Sequence, residues 1–558
     1  MGKIVIYQIL SRLYTNNNSS CIPDGTIDRN GCGKMNHFTE KVLKEIKKAG
    51  YTHIWFTGII AHASKTDYSE YGIPASHRST VKGNAGSPYA IRDYYDIDPD
   101  LAENVAMRMQ EFESLVERVH KCHLKFIMDF VPNHVAREYK SVVKPQGIED
   151  LGESDNTGHR FNSNNNFYYI HSALGGEIDW QDYKEEPARA TGNDRFSAYP
   201  TICDWYETVK LNYGVDYQGN NTCHFNPVPN TWIKMTQILQ YWADKHIDAF
   251  RCDMAEMVPV EFWEYAIHAV KKRHRQTLFI AEVYNPGLYS SYIKQGGFDY
   301  LYDKVGMYDT LRGIASGRES ANAITRCWQN LGTIGSHMLH FMENHDEQRI
   351  ASDFFAGDPL PGKAPMIVSA CIDTCPVMVY AGQELGERGM DAEGFSGCDG
   401  RTTIFDYWCV DTLKRWYNNG NPSDRQLTAQ ERELRLFYSG LMNIAAKEKA
   451  IAKGLFFDLQ YVNPYSDNYN PHKQYSFLRK AGNELILAVV NFDSKPVRTG
   501  VVIPAHAFDY LEITQPGAYI CTDLLTKTDW TVNLYADRPI NLTVPAFNAL
   551  LLKFTLPG

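Results

Sequence analysis

The chain has 558 residues, with 56 Lys+Arg against 66 Asp+Glu and a formal net charge of −10. Hydrophobic residues at 44% and charged residues at 22% are ordinary globular values, which excludes disordered and fibrous classes. The acidic balance excludes a basic nucleic-acid surface, and no run approaches the roughly 18 apolar residues of a membrane span. The unusual figure is aromatic: 35 Tyr, 26 Phe and 10 Trp make 13% of the chain. Such rings fill cores or offer stacking faces to flat ligands, and composition does not separate the two uses.

In chain order, Ile4–Leu10 reads as a short buried strand rather than the apolar segment of a secretory signal. A cytoplasmic location is therefore expected, or a periplasmic or secreted one if a leader has been removed. Further β-type runs follow at Thr52–Phe56, Lys125–Phe130, Ile247–Cys252, Leu278–Glu282, Phe298–Tyr302, His337–Met342 and Val377–Tyr380. Between them lie amphipathic stretches, among them Glu40–Ala49, Ala106–His123, Trp232–Lys245, Pro259–His274 and Ala364–Thr374. Eight strand–helix units joined by right-handed crossovers predict an α/β fold, a closed (β/α)8 TIM barrel, better than an open doubly wound sheet. No G-x-G-x-x-G turn follows the first strand, which weakens the dinucleotide-binding alternative.

One connection is anomalous. About 100 residues separate the strand ending at Phe130 from the helix near Trp232, far beyond a normal loop. This stretch, rich in Asn, Gly, Asp and Tyr, predicts an inserted domain after strand 3. From Glu448 onward the pattern changes to alternating or β-branched runs at Gln474–Arg479, Glu484–Phe492, Val497–Ile503 and Ala549–Phe554. These predict a C-terminal antiparallel β-sandwich domain. The expected division is residues 1–134 and 231–447 for the barrel, 135–230 for the insertion and 448–558 for the sandwich. Twelve cysteines are far too few for a disulfide scaffold. Cys371 and Cys375 stand four apart without a second pair, so buried thiols are favoured over a zinc site.

In a barrel of this kind the C-terminal ends of the strands face the active site. The third strand ends in Asp129-Phe-Val-Pro-Asn133-His134 and the fourth in Asp248-Ala-Phe-Arg251-Cys-Asp253. The fifth ends in Ala281-Glu282-Val283 and the seventh in Glu343-Asn-His345-Asp346. Singly, an acid there can serve simply to cap the next helix; jointly, buried carboxylates at one rim repel each other unless function retains them. Two carboxyl groups flanking a bond, one ionised and one protonated, are the apparatus of glycoside hydrolysis.

These four segments resemble, in order and spacing, the signature regions of the α-amylase family of glycoside hydrolases (amylase, neopullulanase and cyclomaltodextrinase types). The resemblance covers the whole chain. It implies a retaining enzyme acting on α-1,4 bonds of α-glucans or maltooligosaccharides. Asp253 would be the nucleophile, Glu282 the acid and then base, and Asp346 the residue that binds the 2- and 3-hydroxyls and strains the sugar. Arg251, two residues before the nucleophile on the same strand face, would keep Asp253 ionised. His134 and His345 would hydrogen-bond the sugar, and Tyr89, in Ser87-Pro-Tyr-Ala-Ile-Arg-Asp93, would stack below it. A transglycosylase with the same triad is the close alternative, and a non-catalytic binding homologue the distant one.

Two departures stand out. Met254-Ala-Glu256-Met257 follows the nucleophile where many family members carry Lys-His, and Val209-Lys-Leu-Asn212 resembles the neopullulanase and cyclomaltodextrinase variant of a fifth region. No cofactor is required. A structural Ca²⁺ is the one metal the resemblance suggests, with Asn133 as a ligand; the first loop adds Asp24, Asp28 and Asn30 as oxygen donors without EF-hand spacing. The rings singled out as sugar platforms, besides Tyr89, are Phe167-Tyr-Tyr169 and Trp205-Tyr206. Chain-length preference, branch tolerance and oligomeric state are not readable.

Overall fold

The computed structural model describes residues 2–389, 392–466 and 468–557. Eight parallel strands close a barrel in chain order: β1 (Val5–Leu10), β2 (His53–Thr57), β3 (Lys125–Phe130), β4 (Ala249–Cys252), β5 (Leu278–Ala281), β6 (Tyr300–Tyr302), β7 (Met338–Phe341) and β8 (Val377–Tyr380). Closure is by β1 against β8, with Val5 opposite Val377 and Gln8 opposite Tyr380. The sequence places all eight, and most of their ends fall within two residues of expectation. The exception in kind is the segment after β6, where Lys304–Tyr308 form a π-helical turn that no local pattern announces.

Period-two alternation sorts each strand into two layers. Ile6, Trp55, Ile127, Ala249, Ile280, Tyr302, Leu339 and Met378 point inward and pack as a cluster inside the barrel. Their neighbours, such as Tyr7, Ile54, Phe126, Met128, Phe250, Phe279 and Val377, point outward to the enclosing helices. The same parity carries on past the apolar layer. Two residues beyond Ile127 is Asp129; two beyond Ala249 is Arg251, and then Asp253; two beyond Ile280 is Glu282. The alternation that fills the barrel therefore lines its mouth with charge.

Beyond β3 the chain leaves the barrel at Val131. His134–Ala136 pairs antiparallel with Thr208–Lys210, which ties the far end of the insertion to its origin. The insertion's other pairs are Tyr169–Ile170 with Ala188–Arg189 and Val215–Asp216 with Thr222–Cys223. Phe167, Tyr168 and Tyr169 are buried, Phe167 and Tyr169 in the core shared with the barrel, so these rings fill core instead of offering a sugar platform, contrary to expectation.

After the barrel come β9 (Leu455–Asp458), β10 (Gln474–Ala481), β11 (Glu484–Asn491), β12 (Val497–Val502), β13 (Gly517–Asp523), β14 (Asp529–Leu534), β15 (Pro539–Val544) and β16 (Asn548–Thr555). Six of them form an antiparallel sheet in the order β9-β10-β11-β16-β13-β14, and β12 pairs with β15. Alternation again divides labour: Leu485, Leu487 and Val489 face the sandwich interior, while Ile486, Ala488 and Val490 join the barrel's outer core. Cys371 closes the helix Lys363–Cys371 and Cys375 lies buried beyond it, and all twelve cysteines are free thiols.

Candidate active site

The barrel mouth opens into a cleft of about 490 Å³, roofed on one side by the insertion. Asp253, Glu282, Asp346, Tyr89 and His134 line it, with Trp205, Met254 and Tyr284. Arg251 and His345 lie beneath this lining, buried and in contact with it. Asn133 does not line the cleft, although its amide nitrogen lies 3.2 Å from His134 Nδ1.

Arg251 organises the floor. Its side chain is about 1% exposed, and its Nη1 donates to Asp253 Oδ1 at 2.8 Å and to Asp129 Oδ1 at 3.4 Å. Nη2 lies 2.9 Å from Glu282 Oε2, and Nε donates to the Tyr302 hydroxyl at 3.1 Å. The rings of Trp55, Tyr89 and Tyr302 enclose the guanidinium at 5.1, 5.4 and 5.4 Å. One cation thus bridges Asp253 and Glu282. Backbone bonds continue the sheet past the strands to hold both acids: Asp253 N donates to Phe130 O at 2.9 Å and Glu282 N to Cys252 O at 3.0 Å.

The charge balance is uneven, with four carboxyl groups around one guanidinium. Burial raises Asp253 well above the ordinary carboxylate range, with Glu282, Asp346 and Asp129 reinforcing it; Arg251 opposes this but, contrary to expectation, its charge alone does not outweigh burial. Asp129 is raised to about 6, again by burial against the pull of Arg251, while Trp55 Nε1 donates to its Oδ2 at 2.9 Å. Asp253 and Asp129 therefore keep protons at pH values where isolated carboxyls have lost theirs. Asp346 differs. Its side chain is 39% exposed, and although burial pushes it up, the charge and hydrogen bond of His345 prevail, with Arg251 and Arg401, and lower it to about 2.

His345 is fixed from both sides. Gln8 Nε2 lies 2.7 Å from Nδ1 on one side, and on the other Nε2 lies 3.0 Å from Asp346 Oδ2. Tyr89 stacks on this imidazole, with centroids 5.1 Å apart, and its hydroxyl lies 2.6 Å from Nε2. His134 is held neutral, its imidazole lowered to about 3 by burial and by Lys210, with its ring beside Trp205 at 5.2 Å.

Asn133 does not fit a calcium site. Its side-chain carbonyl oxygen accepts from Lys210 Nζ at 2.7 Å, and its amide nitrogen donates to Gly192 O at 2.7 Å. Lys210 also pairs with Asp194 at 2.5 Å. A second cation at that oxygen would face a buried ammonium. Of the first-loop oxygen donors, Asn30 serves the chain: it accepts from Ile22 N and donates to Ile22 O and Tyr407 O. Among the described residues, no group of three or more His, Cys, Asp or Glu side chains is placed to hold a metal.

The departures acquire local reasons. Met254 takes a left-handed backbone conformation at φ 41°, and its N–H donates to Glu282 Oε2 at 2.8 Å. Glu256 accepts from the N–H groups of Tyr284 and Asn285 at 3.1 and 2.9 Å, bracing the loop after β5. The fifth-region segment supplies Lys210. Several site residues were not singled out from sequence. Asp129 was within reach through parity with Ile127. Trp55, Tyr302, Tyr284 and the Lys82–Glu207 ion pair at 2.9 Å, which joins the second barrel loop to the insertion, carry no local signal.

A family model for the alpha amylase catalytic domain matches residues 8–432. The chain belongs to the α-amylase family. It is 25% identical to the alpha-amylase of Streptomyces lividans, over 93% of this chain and 56% of that one. It is 22% identical to the cyclomaltodextrin glucanotransferase of Bacillus sp. (strain 1-1), over 70% of this chain and 51% of that one. The α-amylase-family chain described here thus spans about half the length of these relatives. In fold it is similar to a noncanonic maltogenic alpha-amylase from Thermotoga neapolitana, with a TM-score of 0.62, 20% identity and 99% of both chains covered.

Proposed function

We propose that this α-amylase-family chain is a retaining glycoside hydrolase cleaving α-1,4-glucosidic bonds of α-glucans or maltooligosaccharides. The observation that carries the reading is the single guanidinium of Arg251 bridging Asp253 and Glu282. Two carboxyls sharing one guanidinium fork are held near each other, which supports a retaining pair, whose carboxyls stand about 5–5.5 Å apart. Asp253, with its Oδ1 on Arg251, presents its other oxygen to the anomeric carbon. Glu282 protonates the departing oxygen and then takes a proton from water. Asp346, ionised and gripped by His345, accepts from sugar hydroxyls, and the exposed edge of Tyr89 packs beneath the ring. Trp205, from the insertion, supplies a second apolar face.

The bound partner in this reading is an α-glucan or a maltooligosaccharide. The relation to a cyclomaltodextrin glucanotransferase keeps a sugar acceptor in play in place of water, through the same ester. No helix among the described residues is long and apolar enough to cross a membrane.

A product time course on maltotriose, amylose, pullulan and cyclodextrin tests the reading. Glucose and maltose accumulating from maltotriose with no longer product support hydrolysis. Early appearance of maltotetraose and higher oligosaccharides turns the assignment to transglycosylation.

A further inference from the structure

The two oxygens of Glu282 are held by different chemistry. Oε2 accepts from Met254 N at 2.8 Å and lies 2.9 Å from the Arg251 guanidinium, whose positive charge disfavours a proton there and leaves Oε1 as the protonated oxygen. Oε1 meets the hydroxyl of Tyr284 at 2.6 Å. That separation is typical of an O–H donating to a charged oxygen. Tyr284 follows Glu282 by two residues, its backbone N–H is anchored on Glu256, and its ring lines the cleft beside Asp253 and Asp346.

We propose that Tyr284 is a positioning residue for the acid/base, its hydroxyl aiming Glu282 Oε1 at the glycosidic oxygen and stabilising the carboxylate once the proton has left. The proposal rests on the reading of Glu282 as acid/base. In the first half-reaction the Oε1 proton passes to the glycosidic oxygen as the C1–O bond breaks. The electron pair stays with the departing oxygen, and Asp253 forms the new bond to C1. Oε1 is left anionic and Tyr284 turns its O–H onto it. In the second half-reaction water attacks C1, the ester bond breaks, and the water proton goes to Oε1 as the hydroxyl turns away.

Burial, followed by the charges of Glu282 and Asp346, raises the Tyr284 phenol well above its ordinary value. The hydroxyl therefore keeps its proton and acts only by direction. The other charged or titratable groups facing Glu282 are Arg251 and Asp253 from β4 and its end, Asp129 from β3, Tyr302 from β6 and Asp346 beyond β7. Replacing Tyr284 leaves all of them in place.

The hydroxyl favours the ionised carboxylate over the acid, so its removal moves the basic limb of the kcat/KM profile to higher pH. For Tyr284→Phe in the full chain the expected displacement is about half to one pH unit, the acidic limb staying put. At the wild-type optimum kcat on maltotriose falls about tenfold with KM within about threefold. On 4-nitrophenyl α-maltoside, whose leaving group needs no proton, the loss stays within about threefold. Tyr284→Leu, which also lacks the hydroxyl, gives the same displacement of the limb. A basic limb within about 0.2 unit of wild type in both variants, or equal losses on the two substrates, overturns the proposal. If Asp253→Asn or Glu282→Gln retains turnover, the retaining reading itself fails. If both abolish it while the limb does not move, the role of Tyr284 alone fails.

Discussion

Two of the buried cations, Lys210 and Arg251, are treated in opposite ways. Lys210, 2% exposed, meets one amide oxygen and one carboxylate, Asn133 and Asp194. Its charge is matched, and the result is a joint between insertion and barrel. Arg251 meets three carboxyl groups and lies within the influence of a fourth. Its charge is outnumbered, so burial and mutual repulsion leave protons on Asp253 and Asp129, which would be bare in water. A matched cluster holds structure together. An overloaded one keeps protons available for transfer at the cost of stability, which is the signature of a catalytic site.

The sharpest way to break the comparison is at the overloaded cluster. Asp253→Asn is expected to lower kcat on maltooligosaccharides by at least about 10⁴-fold, and Glu282→Gln by about 10²–10⁴-fold, with folding retained. Steady-state kinetics with a circular-dichroism check would show it. Asp253→Asn turning over within tenfold of wild type would remove this cluster from the chemistry.

The matched cluster should answer in stability instead. Lys210→Met leaves the Asn133 carbonyl buried without its donor and is expected to cost about 1–3 kcal/mol. Asp194, 39% exposed, contributes less because water can replace its partner. Since the ammonium fills the cation's place, EDTA is expected to leave the wild-type melting temperature unchanged. A fall of several degrees on chelation would show that a metal shares the load.

The two kinds of cluster also separate by pH. Asp129 is raised in the folded state to about 6, so the fold binds its proton more tightly than the unfolded chain does. That favours folding below about pH 4 and becomes a penalty as pH rises to 6 and beyond, at most about 3 kcal/mol. Asp129→Asn is therefore expected to gain stability relative to wild type as pH increases from 4 to 7, while losing activity because Arg251 loses a support. Urea titrations at pH 4, 5.5 and 7 would register a difference independent of pH if the cluster were balanced. Smallest of all, Trp205→Ala should raise KM about fivefold with little change in kcat, the loss of about 1 kcal/mol of ring contact.

The barrel was legible because each strand is a short apolar run and each helix a clear amphipathic period, and eight such units close in only a few ways. The acids were legible because they end strands. Asp129 shows the limit: it stood in the right segment, but only the inward parity of Ile127 marks it as facing Arg251. Lys210 and Asn133 lie 77 positions apart, and their contact depends on the antiparallel pairing of His134–Ala136 with Thr208–Lys210. Nothing local in either segment specifies it. Phe167, Tyr168 and Tyr169 misled because a ring's residue type does not say whether it faces a core or a ligand. Tyr206 too is buried, beneath the Lys82 ammonium, and its neighbour Trp205 reaches the cleft.

The claim at the centre is that Asp253 forms a covalent ester under the control of Glu282. In Glu282→Gln, α-maltosyl fluoride can still react, since fluoride leaves without acid assistance, but the ester lacks the base that would hydrolyse it. Peptide mass spectrometry of the quenched mixture is expected to find one maltosyl unit on the peptide containing Asp253. Consumption of the fluoride with no adduct there, and with release of β-maltose as the first product, would contradict it.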